Sequence, residues 1–113
     1  MIAANPKHQD LLARRLELVA GLSALNAQAL KLTQLLAGLE MEVLRLELAL
    51  KQAPADGELA RELLEELRTA HESAEAESGQ QSQCAGRIET AEQEIEALDR
   101  LLQQAMERER RTS

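Results

Sequence analysis

The sequence predicts an all-α fold, a long antiparallel helical hairpin of coiled-coil character that dimerises into a four-helix bundle. Three observations carry this reading. The 113 residues include no Phe, Tyr or Trp, yet 44% are hydrophobic, and Leu and Ala supply most of that share. A chain poor in aromatic and β-branched residues does not build a sandwich, a barrel or a parallel sheet, and its apolar content is too high for a generic disordered chain. Leucine recurs at a seven-residue step through the first half, and only two prolines and five glycines interrupt the whole. The length suits a single coiled-coil unit, residues 1–113, rather than several domains.

The first helix is expected over residues 6–52. Asn5 suits the N-cap, and Pro6 suits the first helical position, where its missing N–H does no harm. Leu11, Leu18, Leu25, Leu32, Leu39 and Leu46 fall at d positions, and His8, Arg15, Leu22, Ala29, Leu36, Val43 and Leu50 at a positions. At ~1.5 Å per residue such a helix is about 70 Å long.

The turn is expected over residues 53–57, where Pro54-Ala55-Asp56-Gly57 joins a helix breaker to a turn dipeptide. Asp56 is the expected cap of the next helix, and Glu58 and Glu62 favour its positive N-terminal end.

The second helix is expected over residues 58–110. One register fits it throughout: Ala60, Leu67, Ala74, Gln81, Ile88, Ile95 and Leu102 at a, with Leu63, Ala70, Glu77, Cys84, Ala91, Leu98 and Ala105 at d. Gly79 and Gly86 both fall at outward f positions. Continuity of register argues for one helix; the alternative is a break between Ser78 and Ser82, giving three helices.

Folding the chain at the turn, so that facing positions sum to 113, sets every a layer against a d layer. Leu50 then faces Leu63, Leu46 faces Leu67, Leu18 faces Ile95 and Leu11 faces Leu102. The middle is poor, with Leu36 against Glu77 and Leu32 against Gln81, and a loose or kinked waist is expected there.

The first helix is too apolar for one seam. Residues 11–50 hold fifteen leucines, and a second stripe runs through Leu12, Leu16, Val19, Leu30, Ala37, Met41, Leu44 and Leu48, with Leu35 also outside the seam. A helix apolar on two faces is central in a bundle or covered by a partner. Leu12, Leu16, Val19, Leu30, Met41, Leu44 and Leu48 are therefore the expected interface, with a homodimer of hairpins as the assembly. A complex with another coiled-coil protein is the rival. The second helix adds only Leu64, Leu101 and Met106 outside its seam.

Net charge is −7 and unevenly placed. Residues 1–53 carry six basic and five acidic side chains, or +1; residues 54–113 carry seven and fifteen, or −8. Such a chain repels phosphate backbones and anionic headgroups, so neither nucleic acid nor a membrane is an expected partner. The carboxylates of the second helix fall on its solvated face, and Glu89, Glu92 and Glu96 form either a solubilising ridge or a docking face for a basic partner. Arg108, Arg110 and Arg111 are explained by the negative helix C-terminus.

No run reaches the ~18 apolar residues of a membrane span, and the first ten residues lack the order of a signal peptide. A cytoplasmic protein is expected. Arg outnumbers Lys ten to three, which suggests a GC-rich bacterial source.

No chemistry is legible. His8 and His71 stand far apart on different helices, and each is expected to be partly exposed. His71-Glu72 begins a zinc-protease pattern, but Glu75 occupies the place of its second His. Cys84 reads as a small buried hydrophobe rather than a redox thiol. No cofactor, metal or enzymatic activity is expected.

The expected function is that of a scaffold, adaptor or assembly subunit. The two-helix hairpin also resembles, in topology, the stalk-type proteins associated with type III export ATPases. That resemblance implies a small chaperone or secretion-apparatus accessory role. Prefoldin-type chaperones insert β-hairpins between their helices, for which residues 53–58 leave no room. A transcription regulator acting through a coiled-coil tip would use Asp56 and Glu58, but the globular anchoring domain of such proteins is missing.

Overall fold

A computed structural model describes residues 6–112. The chain forms two helices, α1 (Pro6–Gln52) and α2 (Glu58–Thr112), joined as a hairpin. The end of α1 at Gln52 and the start of α2 at Glu58 lie at the expected positions, and α2 continues past residue 110 to Thr112. Pro6 is helical; Asn5, the expected cap, lies outside the described residues.

The turn closes through two backbone hydrogen bonds, Ala53 N–H to the Leu50 carbonyl and Gly57 N–H to the Pro54 carbonyl, each 3.3 Å. Gly57, not Asp56, directly precedes Glu58 and so takes the N-cap position. The Pro54–Gly57 bond explains the correction, since it closes the tight turn one residue later than the expected cap.

The hairpin divides into two compact units. One is made of the segments that end at Ala27 and begin at Ala85; the other is Gln28–Cys84. In the turn-containing unit Leu46, Leu63 and Ala70 form a buried cluster with Val43, Ala49, Leu50, Ala53 and Leu67 packed against it. These are the layers Leu50–Leu63, Leu46–Leu67 and Val43–Ala70 of the predicted register. Leu46 is only 1% exposed, and burying a leucine so fully is worth about 1.5–3 kcal/mol.

Residues 78–82 are helical, and α2 is unbroken from Glu58 to Thr112, so the three-helix alternative is not adopted. At the expected waist the two polar groups fare differently. Gln81 Nε2 donates to Thr33 Oγ1 at 3.1 Å, and Thr33 Oγ1 donates to the Ala29 carbonyl at 2.9 Å. This relay serves the amide that a facing Leu32 leaves without a partner. Glu77 is less well served: its Oε2 is buried with no hydrogen-bond partner.

In the other unit, ion pairs link the two helices. Arg15 Nε meets Asp99 Oδ1 at 2.6 Å, and Arg14 Nη2 meets Glu94 Oε2 at 3.3 Å. His8 is corrected from partly exposed to buried, at 8% exposure, with Nδ1 3.1 Å from Glu109 Oε1. Its a position places it inside the seam.

Every a and d position named from the sequence is buried or half-buried, and nearly every other position is exposed. The seam is thus the predicted one along both helices.

Candidate protein–protein interface

Outside the seam, α1 presents large apolar side chains to solvent. Leu12, Leu16, Val19, Leu30, Met41, Leu44 and Leu48, the seven residues expected to meet a partner, are exposed by 39 to 71%. Leu35 is exposed too, but at a g position on the opposite flank. The α2 helix adds Leu64, Leu101 and Met106, together with Leu59, which the sequence reading passed over although its g position predicts exposure.

Helical geometry explains why the α1 residues form a face. At ~100° per residue, positions e, b and f occupy one arc of about 100° beside position a. Leu12 and Val19 stand at e, Leu16, Leu30 and Leu44 at b, and Met41 and Leu48 at f. The b and e positions alternate at three- and four-residue spacing, which makes them a second heptad seam on the same helix. Its centre lies about 100° around the helix from the first seam, close to the right angle between two neighbours in a four-helix bundle.

From Gln9 to Ala37 no b, e or f position of α1 carries a charge. Ala13, Ala20 and Ala27 stand at successive f positions, so the rim of this face is low. Ser23 and Asn26 are the polar residues at its centre. The charged side chains of this stretch of α1 (Asp10, Arg14, Arg15, Glu17 and Lys31) all stand at a, c or g positions.

The acidic ridge is exposed as well. Glu89, Glu92 and Glu96 all face solvent, with Glu96 3.8 Å from Arg100. His71 is exposed, whereas Cys84 is buried at 3%. Among the described residues no group of three or more His, Cys, Asp or Glu side chains is arranged to hold a metal, and no helix is long and apolar enough to cross a membrane.

The concavities are open grooves. One, of about 310 Å³, is lined by Leu11, Leu98 and Leu101 together with Lys7, Arg14 and Arg108. Another, of about 260 Å³, lies beside His8 and Glu109. Neither encloses a small molecule in the manner of a ligand pocket, which buries most of its occupant.

Three surface pairs have shifted ionisation. The Arg45 guanidinium, hydrogen-bonded to Glu42, holds that carboxyl below its ordinary 4.5, and Arg68 does the same to Glu65. The Arg15 guanidinium is held above its ordinary value by its hydrogen bond to Asp99. All three pairs are exposed and explained by their own partners. No protein-family model matches this chain, and neither a curated protein nor a solved structure matches it.

Proposed function

We propose that this protein is a non-enzymatic scaffold or assembly subunit that acts by protein–protein association through the exposed apolar face of α1. The supporting observation is the exposure of Leu12, Leu16, Val19, Leu30, Met41, Leu44 and Leu48 on a helix whose first seam is already filled by α2. At about 25 cal/mol per Å², covering several hundred Å² of such a face is worth on the order of 10 kcal/mol before the costs of association. The occupant on this reading is a second copy of the hairpin, which gives a four-helix bundle with α1 at its centre. The setting is cytoplasmic.

Light scattering on a sizing column at low micromolar concentration tests this. A dimer is expected, with Leu30→Glu converting it to a helical monomer and Asp56→Ala leaving it unchanged. A wild-type monomer, or loss of the dimer in Asp56→Ala but not in Leu30→Glu, removes the proposal.

A further inference from the structure

We infer that the groove lined by Leu11, Leu98 and Leu101 with Lys7, Arg14 and Arg108 is a docking site for a short acidic amphipathic helix. This site goes beyond the self-association proposed above. It lies wholly within the unit that holds both ends of the chain. The α1 residues that line it stand at c, d and g positions, whereas the leucine face of α1 occupies b, e and f.

Charge selects the sign of the occupant. Three cations from two helices line this one groove, in a chain whose net charge is −7. The negative C-terminus of α2 accounts for a cation such as Arg108. It does not account for Lys7, which stands in the first turn of α1, where the helix dipole disfavours a cation. Asp10 is the one carboxylate among the lining residues. Arg14 is already engaged, 3.3 Å from Glu17 and 3.3 Å from Glu94. Arg108 forms no ion pair with a described residue. Its planar fork of donors is suited to gripping a carboxylate with two hydrogen bonds.

The leucines select the kind of acid. Leu101 is 49% exposed, so a wholly polar anion leaves it in water and a leucine-bearing one covers it. A free fatty acid matches the chemistry but not the shape, since an open groove leaves much of a small molecule in water. A nucleic acid sets its phosphates beside Asp10 and a chain of like charge. A helix laid along the pair fits, with apolar anchors at three- and four-residue spacing against the leucines and carboxylates flanking them. The lining residues span 7–14 of α1 and 98–108 of α2. At ~1.5 Å per residue the longer stretch covers about 15 Å, or about three turns of an occupant helix.

Fluorescence anisotropy with the full chain tests this, using two labelled synthetic peptides of about twelve residues. Both carry leucines at helical spacing; one flanks them with Glu and the other with Lys. The acidic peptide is expected to bind, more weakly as salt is added, and the basic peptide is not. The Lys7→Glu, Arg108→Glu double variant is expected to weaken the acidic peptide about tenfold or more, as is Leu101→Glu. Circular dichroism verifies that these variants remain helical. Leu30→Glu, at a b position, is expected to leave peptide binding unchanged, so the groove is tested apart from self-association. Equal binding of the two peptides, binding that survives the double charge reversal, or no binding at low salt each overturns the proposal. Displacement of the acidic peptide by submicellar sodium dodecanoate overturns it too, since the groove then takes a small amphiphile.

Discussion

Arg15 occupies a seam position yet reaches out of the seam to Asp99, its Nε 2.6 Å from Oδ1 and its Nη2 3.5 Å from Oδ2. An arginine among core positions would be costly if its guanidinium were buried. Here the stem covers the seam and the head stays in water beside a carboxylate. Reversing one partner, as Asp99→Arg, is expected to lower the thermal midpoint, and adding Arg15→Glu is expected to recover it. Both effects should be small and should shrink with added salt, as for exposed pairs generally. A thermal double-mutant cycle at two ionic strengths measures this.

Two neighbouring leucines separate folding from association. Leu46 is 1% exposed and Leu44 is 64% exposed. Leu46→Ala is expected to cost about 2–5 kcal/mol of hairpin stability. Leu44→Ala is expected to cost under about 0.5 kcal/mol in the isolated hairpin. Urea unfolding at protein concentrations low enough to populate monomer distinguishes them.

Two buried polar groups mark sites where the native residue is not the most stabilising one. Glu77 Oε2 and His8 Nε2 are buried without hydrogen-bond partners. An unsatisfied buried group carries a penalty of about 1–3 kcal/mol. Glu77→Leu and His8→Leu are each expected to raise stability by about 1 kcal/mol or more, since Glu109, 60% exposed at its side chain, returns to water when His8 is removed. Thermal melts of both variants provide the check.

A Cβ added at Gly79 or at Gly86 meets nothing within 4 Å, and neither residue has positive φ. Each therefore bears the entropy of glycine in a helix for no steric return. Gly79→Ala and Gly86→Ala are expected to stabilise α2 by about 0.5–1 kcal/mol each, additively. Their sum is read from denaturant midpoints.

Acid should reveal the Glu42–Arg45 and Glu65–Arg68 pairs. Both carboxyls are held below 4.5 in the folded chain, so their contribution is present above that value and disappears as pH falls through the lower folded value. The Glu42→Gln, Glu65→Gln double variant is expected to be less stable than wild type at pH 7. The gap should close on acidification below about pH 4. Helicity against temperature at a series of pH values follows it.

The seam was fully legible because a heptad is a one-dimensional pattern, and the residues that break it (Arg15, Glu77, Gln81) are too few to shift its phase. The turn was legible for a similar reason, since Pro54 ends one helix outright. Its cap was not. Asp56 outranks Gly57 as an N-cap by preference, but the hydrogen bond from Gly57 to Pro54 decides which residue precedes the helix. The relay through Thr33 was likewise hidden, because a hydroxyl at an e position gives no sign in sequence that it will meet an amide across the pair. His8 looked like a surface histidine, but its a position sets it in the seam, 3.1 Å from a carboxylate about a hundred residues later. The α1 face was visible as excess leucine, although its lack of charge emerges only when positions are sorted around the helix.

The placement of the single turn also orders events during synthesis. Residues of the turn-containing unit, Gln28–Cys84, find partners close in sequence, whereas Arg14 and Arg15 wait for groups 80 and 84 residues away. The hairpin therefore closes from the turn outward, each new layer shortening the loop that the next must close. At ~5–20 residues per second, α1 is complete for several seconds before the 55 residues of α2 exist to cover it. During that interval both of its leucine seams are bare, and neighbouring nascent chains on one message offer each other the same uncharged face before either has folded on itself.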